Sequence, residues 1–252
     1  MRTYKRGIVS VSFRKHTPRE ILQTAKNAGL ECVEWGSDIH APYDDLNKIK
    51  EIVGLQKEYK ISCSAYGTYF KLGTSDINEL EKYIYAAKLL GTDILRLWCG
   101  DKKREDNSET EKAFLMSECK KAAEIAEKNN VTLCMECHNK TYTETIDGAL
   151  GLMNTVNSQN FLMYWQPNQF RSVEENIEYA EKISPYVKNI HVFNWKGRDR
   201  YPLEDSIDTW IKYLYCFDNA ETLSLEFMPD DNIESLEKEA NSLFKIAERM
   251  EK

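Results

Sequence analysis

The sequence predicts an α/β fold, a single (β/α)₈ barrel that spans residues 1–252. Short runs rich in β-branched and aromatic residues alternate with longer segments of helical period along the whole chain. There are eight such runs, and 252 residues shared among eight strand–helix units give about 31 residues per unit, which is typical of this barrel. Glycine-rich motifs of the GxGxxG or GxxxxGK type are absent, which disfavours the commonest nucleotide-binding doubly wound sheets.

The predicted strands lie between amphipathic stretches that have their own start and stop signals. Thr17, Pro18 and Glu20 combine an N-cap, a proline in the first turn and a capping-box glutamate, so a helix is expected to begin there. Gly29 and Gly91 are expected to end the first and third helices. The eight strands are predicted at Ile8–Phe13, Cys32–Trp35, Ile61–Tyr66, Ile94–Trp98, Val131–Glu136, Phe161–Gln166, Val187–Phe193 and Leu223–Phe227.

The composition favours a soluble cytoplasmic protein with a small-molecule substrate. Hydrophobic residues make up 42% and charged residues 30% of the chain, and the formal net charge is −7. This acidic balance disfavours binding to nucleic acid or to an anionic membrane, and no apolar run is long enough to span a bilayer. The odd number of cysteines, seven, without an export signal indicates reduced thiols. Homo-oligomerisation is compatible with these features.

Strand alternation sorts side chains onto two faces and brings polar groups to one end of the barrel. Glu136, Gln166, His191 and Glu226 are predicted to face inward at the carboxyl ends of four successive strands, 30, 25 and 35 residues apart. The same alternation predicts that Phe227 faces outward. Active sites of (β/α)₈ barrels lie at this end, so the pattern predicts a functional site.

Buried carboxylates that converge on one cavity require a cation, a proton or a ligand. Arg96, inward on the fourth strand beside Trp98, is interpreted either as a structural counter-ion to Glu136 or as a substrate clamp. Two interpretations of Glu34 are open. It is either part of the site or an ordinary strand-end glutamate that is half-solvated or paired with a nearby Arg or Lys.

Other motifs carry weaker predictions. The C-x-x-C-H pattern resembles haem attachment, but alternation places Cys134 and Cys137 on opposite faces, where they share neither a haem edge nor a disulfide. The charged run Trp195–Arg200 is either a solvated loop or a clamp for a phosphate or carboxylate. His16 and His40 are expected to be ordinary loop residues.

Several stretches together resemble the xylose-isomerase-like barrel superfamily. This is the sugar phosphate isomerase/epimerase group, which also includes 3-dehydroshikimate dehydratase. Each stretch is short, but together they run across nearly the whole chain, which supports the barrel fold. The similar stretches are Ile8–Arg14, Asn27–Gly36, Leu90–Lys103, Leu133–Asn139, Asn189–Asn194 and Leu223–Phe227.

The resemblance implies a divalent metal (Mn, Mg, Zn or Co) bound by Glu136, Gln166, His191 and Glu226. The family usually has Asp at position 166 and His at position 169, and both are Gln in this chain. A Gln carbonyl coordinates a hard cation without adding charge, so weaker metal binding than in the family is expected.

The resemblance also implies chemistry at a carbon next to a carbonyl. The first hypothesis is a sugar or sugar-phosphate isomerase or epimerase, in which Glu136 and Glu226 transfer the proton and a bound metal stabilises an enediolate. The alternatives are a metal-dependent dehydratase of a hydroxy-carbonyl compound and a non-catalytic carbohydrate-binding barrel. The candidate substrate-binding residues are Arg96, Trp98, His138, Gln169, Lys196 and Arg198.

Overall fold

The structure is a computed structural model that describes residues 3–250. Eight parallel strands close into a barrel, which confirms the predicted fold, and they are hydrogen-bonded in the order β1-β10-β7-β6-β5-β4-β3-β2. A two-stranded antiparallel hairpin, β8–β9, was not predicted; it follows the seventh barrel strand. The strands are β1 Lys5–Val9, β2 Cys32–Gly36, β3 Ser62–Leu72, β4 Ile94–Cys99, β5 Thr132–Glu136, β6 Phe161–Trp165, β7 Val187–Val192, β8 Trp195–Lys196, β9 Asp199–Arg200 and β10 Thr222–Leu225.

Eight helices surround the barrel and bury their apolar faces against it. Their amphipathic pattern places the main core between helices and strands, with a smaller cluster inside the barrel formed by Ala65, Ile94, Cys134 and Tyr164. The helices are α1 Pro18–Asn27, α2 Leu46–Tyr59, α3 Leu80–Leu90, α4 Glu109–Asn129, α5 Ile146–Val156, α6 Val173–Ile183, α7 Ile207–Leu214 and α8 Leu236–Met250.

The predicted helix signals are present in the structure. Thr17 accepts a hydrogen bond from the backbone N–H of Glu20, whose carboxylate accepts from Thr17 in return, so the capping box is complete. Gly91 caps α3 with a φ of +86°. Gly29, with a φ of +76°, follows α1 directly after its cap residue. The glycines end α1 and α3 shortly before β2 and β4 begin.

The first predicted strand is shorter than expected. β1 ends at Val9, and Ser10–Phe13 form a 3₁₀ turn at the edge of the barrel. Ser10 Oγ accepts a hydrogen bond from the backbone N–H of Gly36, and Ser12 Oγ accepts one from Phe227. These hydroxyls replace ladder hydrogen bonds and turn the chain across the carboxyl end of the barrel.

Alternation holds in most strands and fails after β10. Cys134 lies inside the barrel, whereas Leu133 and Met135 belong to the outer core. Cys137 packs against the outer core, so it and Cys134 lie on opposite sides as predicted, and both are free thiols. The prediction that Phe227 faces outward is wrong, because its φ of +55° breaks the extended alternation and turns its ring into the cavity.

No helix within residues 3–250 combines the length and the apolar character that crossing a membrane requires.

Candidate active site

His191 lies at the centre of a buried polar cluster at the carboxyl end of the barrel. Its side chain is fully buried, and its Nε2 lies 3.0 Å from Glu34 Oε2. Its Nδ1 lies 3.1 Å from Gln166 Oε1. The same Nδ1 lies 3.7 Å from a carboxylate oxygen of Glu136 and 3.7 Å from one of Glu226. One ring nitrogen is therefore bound to Glu34, and the other faces the three remaining predicted ligands.

Arg96 on β4 connects two carboxylates of this cluster. Its Nε donates to Glu34 Oε1 at 2.9 Å, and its Nη1 donates to Glu136 Oε2 at 2.6 Å. All three side chains are almost fully buried. Of the two interpretations of Arg96, the structure therefore supports the counter-ion. Glu34 is paired with an arginine, as one alternative proposed, but it also belongs to the site through His191.

A glycine makes the close pairing of Glu34 and Arg96 possible. Gly67 on β3 lies beside Arg96 in the strand register. A Cβ at this position would lie 2.5 Å from Glu34 Oε1 and 2.9 Å from Arg96 Nη2, closer than side chains tolerate. The absent side chain thus leaves the space that the ion pair occupies.

The two carboxylates bound to Arg96 are held in the charged form. Burial by itself would raise the pKa of Glu34, but the charges of His191 and Arg96 lower it to about 2. Burial likewise acts against ionisation of Glu136, and the charge of Arg96 with the hydrogen bond from His191 lowers its pKa well below the ordinary range. The indole N–H of Trp98 also donates to Glu136.

Glu226 differs from the other two carboxylates. No side-chain hydrogen bond holds it within residues 3–250, and burial raises its pKa, although the charge of His191 opposes this. The pKa of His191 is itself raised to about 10, because the carboxylates of Glu226 and Glu34 outweigh the effect of burial. In this protonated form both ring nitrogens carry hydrogen, and Nδ1 donates to Gln166 Oε1.

The cluster fits a divalent cation. Glu136, His191 and Glu226 offer donor atoms that all lie within 4.8 Å of one another, and Gln166 Oε1 faces the same Nδ1. With His191 neutral, the three carboxylates and one guanidinium leave two negative charges in a buried space. A divalent cation cancels that charge, and the Glu34 hydrogen bond leaves Nδ1 free as a ligand.

A cavity of about 300 Å³ opens above this cluster. Trp98, His138 and Gln169, three of the candidate substrate-binding residues, line it. The ring of His138 stacks on Trp98 with centroids 4.9 Å apart, and its Nδ1 lies 2.7 Å from the carbonyl oxygen of Asn139. Because a carbonyl only accepts, Nδ1 carries hydrogen and Nε2 is left for a ligand.

Other predicted polar residues lie away from the cavity. Lys196 and Arg198 are exposed on the β8–β9 hairpin, and neither lines the cavity; Lys196 Nζ lies 5.5 Å from the ring centre of Tyr201. His40 is a buried loop residue, with its ring nitrogens 3.1 Å from Ser10 Oγ and 3.1 Å from the carbonyl oxygen of His16.

Two polar cavity residues, Arg14 and Tyr69, were not singled out from the sequence, and Trp195 was named there only as part of the charged run. Arg14 follows the 3₁₀ turn after β1, and Trp195 lies in the hairpin after β7. Such positions lie beyond the regular part of the neighbouring strands, so alternation does not predict their direction. The one available signal was that loops at this end of a barrel carry function.

The fold and the cluster together define a (β/α)₈ barrel with a buried Glu/His/Glu cluster at the carboxyl ends of its strands. The family model described as "Xylose isomerase-like TIM barrel" matches residues 22–240. The chain therefore belongs to the xylose isomerase-like TIM barrel family, as the sequence motifs predicted.

Individual relatives are more distant. A 3-dehydroshikimate dehydratase of Bacillus anthracis is 21% identical over 77% of this chain and 73% of its own length. The crystal structure of the probable 3-DHS dehydratase AsbF from Bacillus anthracis has a TM-score of 0.80 at 18% identity, covering 96% of this chain and 99% of that one. The IolI protein, solved with a zinc atom, has a TM-score of 0.75 at 16% identity, with coverages of 97% and 98%. At these identities, the structural similarity shows the fold.

Proposed function

We propose that this protein is a metal-dependent enzyme that removes the proton next to a carbonyl in a hydroxy-carbonyl compound, and that it is a dehydratase. The observation that carries the metal dependence is the charge of the cluster around His191, and the similarity to a 3-dehydroshikimate dehydratase favours elimination. With His191 neutral, as a metal ligand must be, three buried carboxylates face a single guanidinium, and burying uncompensated charge costs several kcal/mol per ion. A resident divalent cation removes that cost.

The proposed ligands are Glu136, Gln166, His191 through Nδ1, and Glu226. The set of two carboxylates, one imidazole and one amide oxygen suits Mn²⁺, Mg²⁺, Zn²⁺ or Co²⁺. When bound, such a cation supplies Lewis-acid polarisation of a carbonyl oxygen. Glu34 is the partner that orients His191 for this task, and Arg96 balances part of the carboxylate charge.

The asymmetry between the carboxylates favours one principal base. Glu136 accepts hydrogen bonds from Arg96 and Trp98, and its lowered pKa makes it a poor proton acceptor. Glu226 has no such partner within residues 3–250 and lines the cavity. We therefore assign removal of the carbon-bound proton to Glu226 and the ligand role alone to Glu136.

Elimination also needs a group that delivers a proton to the departing hydroxyl. The proposed donor is His138 in its doubly protonated form, in which Nδ1–H is bound to the Asn139 carbonyl oxygen and Nε2–H faces the departing hydroxyl; the stack with Trp98 fixes the ring. The carbon-bound proton passes to Glu226, the carbon–oxygen bond breaks, and the hydroxyl leaves as water with the proton from His138. Gln169 in the cavity wall is a candidate to orient substrate oxygens.

The test combines metal content with turnover. Chelator-free protein is expected to bind about one Mn²⁺ per chain by mass spectrometry, and Glu136→Ala is expected to lose it. With Mn²⁺, 3-dehydroshikimate is expected to yield a product lighter by one water, and Glu226→Gln to abolish this while remaining folded. Absence of Mn²⁺ binding, or full turnover by Glu226→Gln, would overturn the proposal.

A second candidate is an isomerase or epimerase, and one observation favours it. Glu136 and Glu226 each have a carboxylate oxygen 3.7 Å from His191 Nδ1, so two carboxylates face one centre. Two-base proton exchange at a ketose carbon needs such a pair. Incorporation of deuterium from D₂O into a ketohexose, with no loss of water from 3-dehydroshikimate, would favour this candidate.

A further inference from the structure

The cavity has two permanently charged cations in its wall within residues 3–250, and they differ in availability. Arg96 is almost completely buried, and its Nε and Nη1 are bound to Glu34 and Glu136. Arg14, by contrast, keeps 40% of its side chain exposed. It lines the same cavity as Glu226, although the two residues are far apart in the sequence. Arg14 is thus the cation that a ligand can reach.

Two neighbours hold the guanidinium of Arg14 in place. Nη1 pairs with Asp38, which follows β2, and Nη2 donates to the hydroxyl of Tyr69 on β3. Tyr69 in turn packs edge-on against Trp98, with ring centres 5.3 Å apart. Residues on or just after two strands, β2 and β3, therefore fix one side chain that the metal cluster does not use. A guanidinium fixed in this way loses little further entropy when it binds an anion.

The contacts of Arg14 leave hydrogen-bond donors unused. A guanidinium has five N–H groups, and the two neighbours occupy two of them, which leaves three. The Tyr69 hydroxyl accepts from Arg14, so its own hydrogen is free to donate to the same ligand. The mouth of the cavity thus offers a planar set of donors to an acceptor.

We propose that Arg14, with Tyr69, binds a carboxylate of the substrate and determines specificity for acids over neutral compounds. The inference rests on the proposed function, in which the reacting carbon of the same substrate lies next to Glu226. A carboxylate suits the site better than a phosphate, since Asp38 already neutralises one charge of the single arginine. Phosphate sites commonly combine several cations or backbone N–H groups.

The test compares an acid with its neutral ester in the Mg²⁺-loaded protein. The quenching of Trp98 and Trp195, both in the cavity wall, reports binding of shikimate and of its methyl ester. The wild type is expected to bind shikimate about 10- to 100-fold more tightly than the ester, as a charge-assisted hydrogen bond allows. Arg14→Gln is expected to remove this preference, and Tyr69→Phe to reduce it.

The matched control is Arg19→Gln. Arg19 is also a surface arginine in an ion pair, with Glu58 at 2.6 Å, but it does not line the cavity. The variant is expected to keep the wild-type preference for the acid. Equal binding of acid and ester by the wild type, or an unchanged preference in a folded Arg14→Gln, would overturn the inference. Tighter Arg14-dependent binding of inorganic phosphate than of shikimate would overturn the assignment to a carboxylate.

The outcomes separate this inference from the proposed function. An acid preference that depends on Arg14, in a protein that releases no water from 3-dehydroshikimate, supports the inference and contradicts the dehydratase. Release of water with equal affinity for acid and ester supports the dehydratase and contradicts the role of Arg14.

Discussion

The hydrogen bond between His191 Nε2 and Glu34, 3.0 Å long and fully buried, holds one side of the His191 ring. If Glu34 holds Nδ1 toward the cation, Glu34→Gln should weaken Mn²⁺ binding about 10- to 100-fold, because outer partners of metal-bound histidines have effects of this size. Isothermal titration with Mn²⁺ measures it. Glu118→Gln is the control, since Glu118 is buried on α4 and paired with Lys121, away from the cavity. Equal Mn²⁺ affinity of Glu34→Gln and wild type would contradict the role.

His40 is a second residue with a testable role, because its protonation is linked to the stability of the fold. Burial lowers the pKa of His40 in the folded state below its ordinary value of 6.5. The unfolded chain therefore binds a proton first as the pH falls, so the contribution of His40 is full above about pH 6.5 and is lost as the pH falls through the folded pKa. Urea unfolding at pH 7.5 and pH 5.5 should show a smaller pH-dependent loss in His40→Gln than in wild type.

His16→Gln is the control for this experiment, because His16 is more exposed and offers His40 only its backbone carbonyl. Its change in unfolding free energy between the two pH values should match the wild type. A His40→Gln protein with the wild-type pH dependence would show that His40 does not titrate with folding.

Among the secondary-structure elements, β3 passes close to the cluster at Gly67. In Gly67→Ala, the new Cβ meets Glu34 and Arg96 at less than 3 Å, and both side chains are held by ion pairs and cannot withdraw freely. We expect a loss of about 1–3 kcal/mol in the free energy of unfolding, the usual cost of overpacking, together with weaker Mn²⁺ binding.

Gly54→Ala in α2 is the matched control, because a Cβ there meets no atom within 4 Å. Alanine in place of an exposed helical glycine should stabilise the protein by up to about 1 kcal/mol and leave Mn²⁺ binding unchanged. Denaturant unfolding and metal titration of both variants provide the comparison. A Gly67→Ala protein that behaves like Gly54→Ala would show that the Glu34–Arg96 pair has room to move.

The elements also show how far a sequence can be interpreted. Alternation correctly placed Cys134 inside the barrel, because β5 is regular and pairs on both sides. It failed at Phe227, where the chain leaves β10 with a positive φ that only tertiary contacts impose. It gave no direction for Arg14 or Tyr69, because the one follows a 3₁₀ turn and the other lies where the register of β3 shifts.

The positions of the site residues could be predicted from the sequence where the strands that carry them are regular. Glu136, His191 and Glu226 lie at regular strand ends, and their convergence follows from closure of the barrel. The role of Glu34 was left open, since no local pattern shows that a side chain on β2 reaches across the barrel to His191 on β7. Such contacts depend on the three-dimensional arrangement of strands far apart in sequence.

At the scale of the whole molecule, the barrel buries three carboxylates whose charge a bound divalent cation would balance, so we expect metal binding and folding to be linked. A cation that binds the folded chain alone, at 100 times its Kd, adds about 2.7 kcal/mol to the free energy of unfolding. For a chain of this size, each kcal/mol raises Tm by roughly 2–4 °C, so saturating Mn²⁺ should raise Tm by about 5–10 °C. Differential scanning calorimetry with and without Mn²⁺ measures the shift, and excess EDTA should reverse it. Glu226→Gln, which removes a ligand charge, should show a smaller shift. An identical Tm with and without Mn²⁺ would show that the cluster is balanced by protons instead.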